Sequence, residues 1–98
     1  MKIGKISNQS FKRIKMDGDS YWDLRNQGSD DEIESIKNMS LKGFSHGYIV
    51  FDPDWGRYGS MLLKGIGSTS GKTLCLPLGD KPTIQEVKNA INNYNRYA

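Results

Sequence analysis

From Gly47 to Asp80 short apolar runs alternate with clusters of Gly, Pro and Asp. Gly47 to Asp52 is followed by Pro53-Asp54-Trp55-Gly56, and the run from Arg57 to Ile66 by a Gly67-Ser68-Thr69-Ser70-Gly71 turn; Lys72 to Leu78 closes the stretch. Such runs predict three successive antiparallel strands. They hold the densest aliphatic content of the chain, so they are expected to form the sheet on which helices pack. Beyond them, Ile84, Val87, Ile91, Tyr94 and Ala98 recur at spacings of three and four, which is one face of a helix. Thr83 and Glu86 stand at capping-box spacing at its start, behind Pro82, and its outer face, with Asn89, Asn92, Asn93, Asn95 and Arg96, reads as solvated.

The same capping-box spacing recurs at Ser29 and Glu32. It predicts a short helix whose buried stripe is Ile33, Ile36 and Met39 and which ends near residues 38–40, before Gly43 and Gly47 release the chain into the sheet. Upstream, Asp17-Gly18 reads as a two-residue hairpin turn between strands at Phe11–Met16 and Asp19–Arg25. That register sets Lys12 opposite Asp23, Arg13 opposite Trp22 and Phe11 opposite Leu24. Lys2-Ile3-Gly4-Lys5-Ile6 adds a short edge strand guarded by its lysines. The expectation is one α+β domain over residues 1–98. Its antiparallel sheet joins the N-terminal hairpin to the three-stranded meander and packs against two helices on one face, in the order β-β-α-β-β-β-α.

Length and composition narrow the function. At 98 residues the chain supports one core, which excludes a cofactor domain with a separate substrate domain. The apolar fraction of 36% against 26% charged residues suits a small domain with a large surface. No apolar run approaches the roughly 18 residues of a membrane span, and no signal-peptide pattern opens the chain, so the expected place is the cytoplasm. Cys75 has no second cysteine to pair with, and Cys and His are too few for a zinc site. Neither a cofactor nor a metal is expected.

The net charge of +3 permits contact with nucleic acid, and its distribution locates the candidate. Lys2, Lys5, Lys12, Arg13 and Lys15 precede the first acid, whereas Asp17 to Glu34 is rich in acids around Arg25 alone. Such blocks commonly neutralise one another across a surface; read functionally, the basic block is the candidate nucleic-acid contact.

Three motifs bear on chemistry. Gly67 to Thr73 resembles a phosphate-binding loop, but three residues separate its glycines where four are required, and a strand pattern rather than a helix follows Lys72-Thr73. An ordinary glycine-rich hairpin turn is expected. His46 is the sole histidine; with Arg57 and Lys64 it could supply the acid/base and cations of a small ribonuclease toxin, though a lone histidine is more often a hydrogen-bonded surface residue. Cys75 alternates out of phase with Leu74, Leu76 and Leu78 and is read as a small packed side chain rather than a nucleophile.

Three strands followed by an amphipathic helix, with Trp55-Gly56-Arg57-Tyr58 at a turn and Lys72-Thr73-Leu74-Cys75-Leu76 before the helix, resemble the sheet-type DNA readers of plant transcription factors and integrase arm-binding domains. The order helix, three strands, helix is similar to double-stranded-RNA-binding domains. Both resemblances imply nucleic acid as partner. The chain departs from the first in lacking a succession of Arg and Trp along its strands, and from the second in carrying Thr83, Gln85 and Glu86 where a basic cluster is expected.

The leading expectation is therefore a non-catalytic binding protein that docks on another protein as an inhibitor or adaptor. The bias of Lys over Arg, with abundant Asn, Ile and Tyr, fits an AT-rich genome such as those of phages and mobile elements, and so an inhibitor of a host enzyme or defence system. The alternative is a nucleic-acid-binding domain that uses its three-stranded sheet. The expected contact surface comprises Asp54, Trp55, Arg57 and Tyr58 on the turn after Asp52, together with Tyr48 on the strand before it. Trp, Arg and Tyr are the residue types most enriched among interface hot spots.

Overall fold

The computed structural model describes residues 13–68 and 70–98. It is an α+β domain in the order β1 (Ile14–Met16), α1 (Gly18–Arg25), α2 (Asp30–Lys37), β2 (Phe44–Asp52), β3 (Ser60–Ser68), β4 (Cys75–Gly79) and α3 (Ile84–Tyr97). The four strands form one sheet in the order β1-β2-β3-β4. The meander expected from Gly47 to Asp80 is present as antiparallel β2–β3–β4, but β1 runs parallel to β2, which makes the sheet mixed. The expected edge strand at residues 2–6 lies outside the described residues, as do Phe11 and Lys12 of the expected hairpin.

The N-terminal hairpin is not formed, and Asp17 is the reason. Its backbone is extended, with φ −75° and ψ 171°, whereas a type I′ turn demands positive φ there. Asp17 instead caps α1: the Ser20 amide donates to its Oδ1 at 2.8 Å. The other oxygen, Oδ2, accepts from the Phe51 amide of β2 at 3.0 Å, and the Asp17 amide donates to the Ile49 carbonyl at 2.9 Å. The segment read as a second strand is thus a helix, with Ser20 and Leu24 buried four residues apart and Trp22 turned to solvent. Arg13 lies along β2 rather than over Trp22: the Gly47 amide donates to its carbonyl at 2.7 Å.

Both expected capping boxes are present. Ser29 and Glu32 exchange bonds at the start of α2, and Thr83 and Glu86 at the start of α3. Arg25 Nε donates to Asp30 at 2.7 Å and ties α1 to α2. With a further bond from the Tyr21 hydroxyl, this guanidinium holds the Asp30 carboxyl below its ordinary pKa. The latch is therefore intact above the ordinary carboxylate range and is lost as pH falls through the lowered value.

All three helices face the same side of the sheet. Leu24 of α1, Ile33 and Ile36 of α2, and Ile84, Val87 and Ile91 of α3 join Ile14, Ile49, Met61 and Leu63 of the strands in one cluster. Gly47 and Gly65 stand opposite each other on this side. A Cβ at Gly47 would lie 2.6 Å from Leu41 Cδ1, and one at Gly65 would lie 2.7 Å from the Phe44 ring, so the two glycines make room for those core side chains. Asn95 is less solvated than expected: it accepts from the Lys42 amide and donates to the Ser40 carbonyl, while the Tyr94 hydroxyl donates to the Lys42 carbonyl at 2.6 Å. The end of α3 thereby fixes the loop that enters β2.

Ile91 is fully buried in mid-stripe, so Ile91→Ala should cost about 2–5 kcal/mol in a urea melt; a loss under ~1 kcal/mol would make α3 peripheral. Asp17→Ala removes a cap and leaves the Phe51 amide without its acceptor. A loss of about 2 kcal/mol or more is expected by the same measurement.

Candidate functional site

Alternation along the strands divides the sheet residues between two faces. With Ile14, Ile49 and Leu63 under the helices, the registers Lys15↔Tyr48, Tyr48↔Lys64 and Lys64↔Cys75 set those four residues in a row across the opposite face. A second row pairs His46 with Ile66, and carrying the parallel register one residue back sets Arg13 beside His46. Val50, Leu62 and Pro77 form a third row. Arg13, Lys15, Lys64 and Cys75 are exposed, Tyr48 and His46 are half-buried, and Ile66 is 40% exposed. Leu62, 1% exposed and outside the core cluster, is the apolar floor of this face. Among the described residues no helix contributes to it.

His46 is held by its neighbour. The Ser45 hydroxyl donates to the Ile66 carbonyl at 3.1 Å and lies 2.9 Å from His46 Nδ1. With its single hydrogen on the carbonyl, Ser45 accepts from Nδ1–H, the tautomer in which Nε2 is the ring's acceptor. The structure brings Lys64 to the neighbouring row but leaves Arg57 on the turn beyond Asp52, so the trio weighed for ribonuclease chemistry is not assembled. The expected separation of Cys75 from its leucine neighbours is observed, and its thiol is exposed rather than packed.

The second surface is the turn between β2 and β3. Asp52 Oδ1 accepts from the Asp54 amide at 2.9 Å and its carbonyl from the Trp55 amide at 3.3 Å. Gly56 and Gly59 have φ of 70° and 86°, a region that glycine enters without strain. Gly59 is buried against Phe51, whose Cζ would lie 2.5 Å from an added Cβ. The turn is therefore pinned at both ends. Its side chains project outward: Trp55 is 42% and Tyr58 73% exposed, with Asp54 and Arg57 also in solvent.

Of the expected contact residues, the turn gathers Asp54, Trp55, Arg57 and Tyr58. Tyr48 belongs to the other surface, roughly 13 Å back along β2 from Asp52. Of the basic block, Arg13 and Lys15 reach the sheet face opposite the helices, and Lys2, Lys5 and Lys12 lie outside the described residues. β3 ends at Ser68 and antiparallel β4 begins at Cys75, so a strand follows Lys72-Thr73 in place of the helix a phosphate loop needs.

Among the described residues no cluster of His, Cys, Asp and Glu could hold a metal ion, and no helix is long and apolar enough to cross a membrane. Comparisons with protein-family models, with curated proteins and with solved structures give no match.

The pinned turn yields a direct check. Gly59→Ala combines a left-handed backbone with a clash against Phe51, so thermal or urea melts should show a loss above ~1 kcal/mol. Gly56→Ala, which meets nothing within 4 Å, should cost less because it carries the backbone penalty alone.

Proposed function

We propose that this chain is a non-catalytic binding domain that docks on another protein through the β2–β3 turn, as an inhibitor or adaptor. The observation that carries the reading is an exposed Trp55 and Tyr58, with Arg57 between them in sequence, on a turn braced by Asp52 and by the Phe51–Gly59 contact. These are the side chains that anchor interfaces, since each supplies a large contact area with few torsions to freeze. Bracing the turn before contact lowers the entropy lost on docking. Asp52 and Asp54 precede Trp55 on this turn and repel phosphate, which favours a protein partner over nucleic acid at this surface.

Trp55→Ala and Tyr58→Ala test the reading. Both side chains lie outside the core cluster, so melts of either variant should stay within about 1 kcal/mol of the parent. Affinity for the protein that co-purifies stoichiometrically from the source cells should fall by more than roughly 2 kcal/mol for at least one of them. Unchanged affinity in both, or a large loss of stability, would remove the turn as the docking site.

A further inference from the structure

We propose that the sheet face opposite the described helices is a second binding surface that takes single-stranded nucleic acid. Tyr48 stands in the middle of this face with Lys15 on the strand to one side and Lys64 on the strand to the other. Arg13 and His46 occupy the next row. An aromatic ring between cations one strand away on each side is the arrangement a nucleotide strand requires. A base stacks on the ring while the flanking phosphates meet the ammonium groups, and the sequence-tolerant stacking suits any base.

The acids near this face stand at its margins with their carboxylates engaged by backbone amides. Asp17, the residue after β1, has both carboxylate oxygens bonded to the backbone amides of Ser20 and Phe51. Asp52 lies at the far end of β2, paired with Ser60, and its Oδ1 is held by the Asp54 amide. The two rows from Arg13 to Ile66 and from Lys15 to Cys75 contain no acid.

Shape selects a single strand over a duplex. Four strands at about 4.8 Å spacing span about 14 Å before side chains are counted, wider than the roughly 12 Å major groove. A face of this width exceeds the groove and offers unpaired bases a surface to lie along. Apolar Ile66, 40% exposed beside His46, and half-buried Val50 one row away continue the floor on which such bases rest.

Fluorescence anisotropy with a labelled oligouridylate of about twelve nucleotides measures this directly on the full chain. With Arg13, Lys15 and Lys64 on phosphates, the slope of log affinity against log salt should be about −2, and Lys15→Gln with Lys64→Gln should reduce it by about 1.4. Tyr48→Val keeps a β-branched residue in the strand and should weaken binding about five- to hundred-fold. Arg96→Gln, on α3, and Trp55→Ala, on the turn, should leave the affinity unchanged, so this surface and the docking turn stand or fall separately. The double lysine variant changes only exposed side chains and remains decisive if Tyr48→Val does not fold. Equal affinity for a blunt duplex, a salt slope unaltered in the lysine variant, or equally tight binding of polyglutamate would each overturn the proposal, the last by assigning the face to an acidic protein.

Discussion

The Asp17 carboxylate joins three elements that are separate in sequence. One oxygen caps α1 through the Ser20 amide, the other holds the Phe51 amide of β2, and the backbone amide of the same residue bonds to Ile49. Ending β1 and starting α1 at a single side chain forces the chain to turn away from the sheet immediately after Met16. The helix then lies on the side where Leu24 joins the cluster of Ile49 and Ile33, and β1 is left beside β2 in the parallel sense. A hairpin at this point would have carried Asp19 to Arg25 alongside β1 and left the α1 position on the core empty.

From that junction the division of the sheet into two unlike faces follows. Three helices on one side bury nearly every aliphatic side chain that the alternation offers them, with Gly47 and Gly65 admitting Leu41 and Phe44 close to the backbone. The other side keeps the residues the core does not use, and there the parallel register delivers Arg13 and Lys15 beside His46 and Tyr48. The β2–β3 turn projects beyond the sheet with its own aromatic pair and its own acids. The two surfaces therefore differ in charge, basic on the sheet and mixed on the turn.

The parts legible in the sequence are those determined by local pattern. Ser29 with Glu32 and Thr83 with Glu86 announced two helices because a capping box needs only residues three apart, and the meander showed in glycine and proline punctuation. Asp17-Gly18 misled because the same dipeptide serves a hairpin turn and a helix start; the choice rests on the Phe51 amide, thirty-four positions away in the chain. Their place on a turn between two strands left open whether Trp55 and Tyr58 project or fold back on the sheet, and both are exposed. The basic sheet face was not, since Lys15 meets Tyr48 only through a parallel pairing that no local signal encodes. Asn95 was hidden for the same reason, its partners Ser40 and Lys42 lying in a distant loop.

Whether Arg13 and Lys15 belong to the sheet face depends on the direction of β1 and the helical state of the segment after it. Nuclear Overhauser contacts in the isotope-labelled protein measure both. The account predicts sequential amide–amide contacts through Gly18–Arg25, together with parallel-type contacts from the Ile14–Met16 backbone to Gly47–Ile49. Antiparallel contacts between residues 11–16 and 19–25, with strong sequential α-proton to amide contacts through the latter, would contradict it. They would take Arg13 and Lys15 away from Tyr48 and dissolve the basic face.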